Sequence, residues 1–450
     1  MVIVIWNSGM EVHCHLEHWK KMGQYLCPGT DRGYNSRGFI MSDDVNRMGP
    51  VRQMFTPFKN RKFFLMFLTT VSASLGDMLM DVSSGWLVLD LTDSPLSLGL
   101  FFAVRSSPNL LFGMVGGAMA DKTDRRRLLI ACYGLYALGG ILFGSLIMTG
   151  TIQLWHALAL FFTRGVIRTF EGPARQSFIV DIVGRGNAMS GISLNAVGMR
   201  GIGIFGGAIA GLIIEMFGME WPFFVLSAVF MVAIGFIGFI KEVETKRVAQ
   251  QHSIWRNIVE GVQIVRRNRI VLVLMVMAAT CEMFGFSFAV LVPVFARDVL
   301  KVGAVGMGMI NAFRSGGGLL AGLALASLGD FKHKGKLILV MFFMFGVGLV
   351  LYANSPVYIM SLFFIGLVGV SAAGHDAMSQ ILLQLNVEED QRGRAMGIWQ
   401  LSIGFGVIGS MTLGTLAEAY GAPFAQSVFG AIMVLIVALL YVTVPQLKEL

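Results

Sequence analysis

Asp77 and Asp81 stand four residues apart in an apolar stretch that begins near Phe63, so on a helix they share one face. Two close carboxylates in a partly dry site resist double ionisation, and one of them is expected to hold a proton near neutral pH. That is the chemistry of a proton-coupled step. The other reading pairs them with an arginine that merely fixes the helix. Glu282 lies in the middle of another apolar stretch, beside Phe284 and Phe286. These three supply a charge and an aromatic wall for a cationic or amphipathic ligand, or else a protonated acid bonded to a neighbouring helix. Arg105 and Arg314 are two more charges in apolar surroundings. They pair with the carboxylates, meet an anionic substrate, or share one structural role. Arg164, Arg168, Glu171 and Arg175 crowd a single segment, where a salt-bridge latch is expected. Gln176, Gln380 and Gln384 are lesser candidates for gate or cavity hydrogen bonds, and His375-Asp376 is expected to follow its apolar stretch as a cap.

Charges in such places are costly and therefore informative. The chain has 450 residues, of which 55% are hydrophobic and only 14% charged. That excess of apolar side chains excludes a disordered chain and disfavours a water-soluble enzyme; its natural solvent is a bilayer. Twelve apolar stretches follow Phe63, near 63–90, 96–120, 127–149, 152–170, 190–217, 221–240, 270–296, 303–328, 336–353, 356–374, 394–418 and 421–444. Helices are required, because lipid offers no partner for open backbone groups, and the alternating strands of a barrel are absent from the sequence.

The connections alternate in character. One set, such as Thr92 to Pro95 and Ala353 to Pro356, is nearly free of Lys and Arg. The other set is basic: Lys122 with Arg125, Arg126 and Arg127, then Lys241 to Arg269, then Lys332, Lys334 and Lys336, then Arg392 and Arg394. The positive-inside rule places the basic set and both termini in the cytoplasm of a multi-pass protein of the cell (plasma or inner) membrane. The net charge of +8 thus marks topology, and no nucleic-acid partner is expected. The pattern of Ile254, Ile258, Val262 and Val265 predicts an amphipathic helix within a linker, 242–269, between halves at 54–241 and 270–450. The four cysteines form no CxxC pair, so neither a disulfide framework nor a metal site is expected. No glycine loop precedes Gly-Lys-Ser or Gly-Lys-Thr, so ATP hydrolysis is not expected.

The halves repeat each other. Offset by 209 positions, Ala103, Arg105, Ser106, Leu110, Leu111, Gly113, Asp121 and Leu128 match Ala312, Arg314, Ser315, Leu319, Leu320, Gly322, Asp330 and Leu337. A second echo sets Asn187-Ala-Met-Ser-Gly-Ile against Arg394-Ala-Met-Gly-Ile. Parallel halves of this kind are one architecture of secondary transporters. The segment Gly117-Ala-Met-Ala-Asp121-Lys-Thr-Asp-Arg125-Arg126-Arg127 resembles the loop signature of the major facilitator superfamily, with Asp124 in place of its usual Gly. Asp330 to Lys336 is a degraded second copy, and Arg168 to Gly172 resembles the fourth-helix signature. Gly172 to Asp181 and Leu291 to Asp298 resemble the efflux branch that includes the enterobactin exporter. Gly203, Gly206, Gly207 and Gly211 resemble the antiporter glycine run without its Pro; close helix packing is the stronger reading.

The resemblance implies an all-α membrane protein of twelve helices in two pseudo-symmetric six-helix bundles. It implies a central cavity lined by the helices of Asp77 and Glu282, a proton relay at Arg168, and a conformational-switch network at Asp121. The reading is a monomeric, proton-coupled exporter of drug-like or siderophore-like small molecules that works by alternating access. Its partners are the substrate, protons and membrane lipids, with no cofactor, no metal and no enzyme activity. The rivals are an importer or facilitator of the same fold, and a non-transporting sensor or metal-handling protein. The last rests on His13-Cys14-His15-Leu-Glu-His18 and Cys27 in the polar extension 1–53, which is expected to be disordered. That run resembles the copper-ligand run of multicopper oxidases but is one residue short and has no cupredoxin domain around it. A chance match, or translation starting at Met41, Met48 or Met54, fits better, and Val2 to Trp6 is too short for a signal peptide.

Overall fold

The computed structural model describes residues 56–240, 254–328, 331–388 and 391–446, without the side chains of 113–122, 185 and 254–259. The metal-like run of the extension, Asp330, and the side chains at Gly117 and Asp121 therefore lie outside the described residues. The described chain is helical: α1 (Arg61–Thr92), α2 (Pro95–Lys122), α3 (Arg125–Met148), α4 (Leu154–Val183), α5 (Ala188–Phe217) and α6 (Trp221–Gly238), then the short α7 (Ile254–Arg267). There follow α8 (Arg269–Val299), α9 (Gly303–Leu328), α10 (Lys334–Ala353), α11 (Tyr358–Leu385), α12 (Arg392–Tyr420) and α13 (Ala422–Thr443). Among the described residues, nine helices are long and apolar enough to cross a membrane. α2, α4 and α9, of 28, 30 and 26 residues, fall on the other three expected spans.

Local chemistry sets the ends. Asn60 caps α1 by accepting from Lys62 N at 2.9 Å. Asp93 closes α1 in the left-handed region (φ 55), which Asp tolerates. Asp124, where the loop signature has Gly, sits at φ −63 and accepts from Arg127 N at 3.1 Å. The turn needs no glycine there because Asp supplies the N-cap of α3. Two helices outrun their apolar stretches. α4 continues past 170 to Gly184, where φ reaches 76. α11 continues past 374 to Asn386. Hydropathy marks the membrane core, whereas a helix runs on until a residue stops it. The cap expected at His375 is thereby corrected: His375 is buried inside α11, stacked 5.2 Å from the Phe342 ring.

α8 is the irregular member. After Thr280 it passes through a π turn (Cys281–Gly285), a 3₁₀ stretch (Phe286–Val290), a short α turn bearing Pro293, and a second π turn (Phe295–Val299). Such turns recur at functional sites. α12 loosens likewise at Ile403–Gly404, between its two α-helical segments.

Within the first group, α1 packs on α5 and α6, α2 on α4, and α3 on α6; within the second, α9 packs on α11, and α10 on α11 and α13. The groups meet along α5–α9 and α2–α12, positions that the internal repeat makes equivalent. Glycines allow that approach. A Cβ at Gly207 would lie 2.8 Å from the Gly308 carbonyl, and one at Gly211 would lie 2.8 Å from Val305 Cα. Gly203 faces Ser315 and Gly206 faces Met78. The outward surface is apolar, with Ile359 75% and Leu138 62% exposed. Side chains of that kind need lipid as their solvent.

Candidate functional site

The helix register set by Asp77 and Asp81 brings both carboxylates onto one guanidinium. Arg164 of α4, 4% exposed, donates from Nη2 to Asp77 Oδ1 and from Nη1 to Asp81 Oδ1, each at 2.6 Å. Arg105 of α2 donates to the second oxygen of Asp81 at 2.8 Å. The two arginines lean on rings as well, Arg105 over Phe102 at 5.6 Å and Arg164 over Phe161 at 5.8 Å. About two turns further along α4, Arg175 donates to Glu171 at 2.7 Å, and the Tyr133 hydroxyl reaches the same Glu171 oxygen at 3.4 Å. Three helices are thus tied by alternating charge. Arg164, among the residues crowding its segment, turns out to be the hub. Its pairing has no signal in sequence spacing, because the partners sit more than 80 residues away.

Most of these groups, though not Asp77 or Tyr133, face a cavity of about 780 Å³ between the two halves. From the first half it is lined by Asp81, Phe102, Arg105, Arg164, Arg168, Glu171, Arg175 and Gln176, and from the second by Glu282, Phe286, Pro293, Met307, Asn311, Arg314 and Gln400. Gln400, inside the stretch 394–418, was missed by sequence reasoning, since nothing in its spacing marks it apart from other polar residues of the spans. Phe286 reaches the cavity, while Phe284 packs on Phe429 with centroids 5.1 Å apart. Gln380 donates to Asp376 at 3.4 Å, and Gln384 lies near Met396; neither lines the cavity.

The second half is less compensated than the first. Glu282 sits in the π turn of α8, and a Cβ placed on Gly406, just past the loosened point of α12, would lie 3.7 Å from its Oε2. It makes no ion pair among the described residues. Arg314 lies over Phe288 at 5.8 Å, and its buried Nε finds no hydrogen-bond partner. Its repeat mate Arg105 is paired, so the two differ in environment despite equivalent places in the fold. Behind Glu282, Cys281 and His375 are buried side by side at 3.4 Å.

Each end of the bundle carries ties. At the end bearing the linker, Arg125 pairs with Asp181, and Arg126 donates to the carbonyls of Ile237 and Gly238 at 3.2 and 2.7 Å. Arg394 of α12 meets Glu260 of α7 at 2.5 Å. At the opposite end, Arg297 of α8 pairs with Asp93 and donates to Leu89 O at 3.2 Å. There Glu418 of α12 accepts from Ser94 Oγ at 2.9 Å and from Leu96 N at 3.2 Å, at the start of α2. Both sets at this end join the first half to the second.

Two six-helix groups around one charged cavity, tied across their seam, define a secondary transporter of the major facilitator type. Over residues 52–450 the chain matches the transmembrane secretion effector family, and it belongs to that family. It is 23% identical to the staphyloferrin A transporter of Staphylococcus aureus, over 86% of this chain and 97% of that one. It is 21% identical to the enterobactin exporter EntS of Shigella boydii (83% and 90% covered). It is 19% identical to macrolide efflux protein A of Streptococcus pyogenes (75% and 84% covered). In structure it resembles a bacterial homolog of the human lysosomal transporter Spinster in its inward-facing, unoccupied conformation. That TM-score is 0.69 at 11% identity, with 87% of this chain and 98% of that chain covered.

Proposed function

We propose that this membrane protein is a proton-coupled exporter of small molecules that works by alternating access. Twelve crossings leave both termini on one side, read as the cytoplasm from the basic loops, and the halves 54–241 and 270–450 rock about the cavity, joined by the linker 242–269. It works as a monomer in the cell membrane. The observation that carries the reading is the cavity itself: it is lined from both halves, which are tied to each other at one end of the bundle, and holds one carboxylate, Glu282, outside any ion pair of the described residues.

Each residue then has a role. Glu282 takes up and releases the coupling proton, since it is the one lining carboxylate without an arginine partner among the described residues. Asp77, Asp81, Arg105 and Arg164 hold the first half rigid around it. Arg168, exposed in the cavity, passes protons or meets cargo. Arg125, Arg126 and, by the loop signature, Gly117, Asp121 and Asp330 set the balance between the two access states. The named export functions of EntS and the macrolide efflux protein support the outward direction. The test is efflux of a panel of siderophores and macrolides from cells lacking their own pumps. Efflux that stops with an uncoupler and with Glu282→Gln supports the reading. Inward accumulation of the panel compound, or efflux indifferent to both treatments, overturns it.

A further inference from the structure

We propose that Arg314 and Arg168 form an anion subsite in the cavity, and that the cargo is an organic acid carrying two or more carboxylates. This rests on the export reading and narrows its substrate class. The internal repeat supplies the comparison. Arg105 and Arg314 occupy equivalent places, yet Arg105 is neutralised by Asp81 at 2.8 Å, whereas the position equivalent to Asp81 is Val290. Arg314 therefore has the Phe288 ring beside it and a buried Nε that bonds to nothing, and the one carboxylate whose field reaches it, Asp81, is already bonded to Arg105 and Arg164. A guanidinium does not shed its proton to escape such a place. A half-buried charge at a cavity wall, with one donor out of reach of any partner, is costly, and a charged ligand is the partner that would lower the cost.

Arg168 opens into the same cavity and makes no ion pair among the described residues. The other lining arginines, Arg105, Arg164 and Arg175, are each taken by a carboxylate. Two guanidinium forks remain, and each can donate two parallel hydrogen bonds to one carboxylate. With Asp77 counted beside the lining acids, the cluster keeps a surplus of one positive charge, which disfavours cationic cargo. Phosphate groups fit the same fork, but so small a surplus favours the more lightly charged carboxylate. Phe286 and Met307 give the carbon skeleton an apolar wall, and 780 Å³ is ample for a compound of drug size.

The test uses the full chain in nanodiscs, with thermal unfolding read against tricarballylate, pyrophosphate, glycerol and tetraphenylphosphonium. Tricarballylate is expected to stabilise saturably, glycerol and tetraphenylphosphonium not at all. Arg314→Gln should weaken the apparent affinity at least tenfold and Arg314→Lys less. Arg168→Gln, at an exposed position that folding does not need, should weaken it severalfold, while Lys301→Gln, a surface charge outside the cavity, leaves it unchanged. Stabilisation by tetraphenylphosphonium, by pyrophosphate alone, or by tricarballylate equally in Arg314→Gln and Arg168→Gln overturns the subsite. Flux in proteoliposomes separates the two readings. Binding that needs Arg314 without any tricarballylate flux sinks the export reading and keeps the subsite; proton-driven flux of tetraphenylphosphonium that survives Arg314→Gln does the reverse.

Discussion

Replacing Arg164 with Met should be the most damaging single change to the charged cluster. The substitution keeps an unbranched side chain but removes two charge-assisted hydrogen bonds, each at 2.6 Å. Bonds of that kind contribute about 1.5–3 kcal/mol apiece, and breaking a buried pair by deleting one partner costs about 3–5 kcal/mol. The Asp77 and Asp81 side chains are 23% and 24% exposed, so water offsets part of the loss and the lower figure, about 3 kcal/mol, applies. Asp81 keeps Arg105; Asp77 is left with no ion pair among the described residues. Adding Asp77→Asn to Arg164→Met should therefore recover about 1–2 kcal/mol, a non-additivity expected only of groups in contact. Unfolding of the four proteins in mixed micelles, titrated with dodecyl sulfate, measures the cycle. If Arg164→Met lies within about 1 kcal/mol of the parent, or the two losses simply add, the cluster does not hold the first half together as argued.

Three further outcomes are expected. Arg297→Gln with Glu418→Gln removes the ties at that end; exposed pairs are worth up to about 1 kcal/mol each, so the ratio of tied to separated states should fall roughly five- to thirtyfold. Spin-label distances between positions 148 and 357 would show it, and an unchanged distribution would count against a gate there. Gly207→Val drives a side chain into the Gly308 carbonyl, which a Cβ alone would approach to 2.8 Å; transport should fall more than tenfold, with the same label pair reporting a wider seam. Gln426→Leu should be neutral or stabilise by about 1 kcal/mol, because Gln426 is fully buried and neither polar atom has a hydrogen-bond partner. A loss of 2 kcal/mol or more in the same dodecyl sulfate titration would show that Gln426 has a partner after all.

The helical, membrane-bound character was legible because hydropathy reports the solvent of a segment directly. The glycines of α5 were legible as close-packing residues because only a missing Cβ admits a backbone carbonyl. Arg164 as hub was not, because its partnership with Asp77 and Asp81 depends on how α1 and α4 are rotated towards each other. His375 was misplaced for a related reason: its polarity reads as the end of a helix, whereas the chain buries it against Phe342 and Cys281. The irregular course of α8 had only Pro293 as a signal, and Pro293 does not announce two π turns. The repeat was legible as identities, yet the identical arginines Arg105 and Arg314 proved to have different surroundings, since what surrounds them is not repeated.

That last contrast has a mechanical consequence. α1 is a regular helix of 32 residues bolted to α2 and α4 by ion pairs, while its counterpart α8 changes its hydrogen-bonding pattern four times between Cys281 and Val299. Where the register of a helix is already loosened, a small twist can be absorbed without breaking a regular ladder. One half is therefore the frame and the other the hinge. Substitutions in α8 should retune how easily the machine turns over, whereas substitutions in α1 should decide whether there is a machine at all.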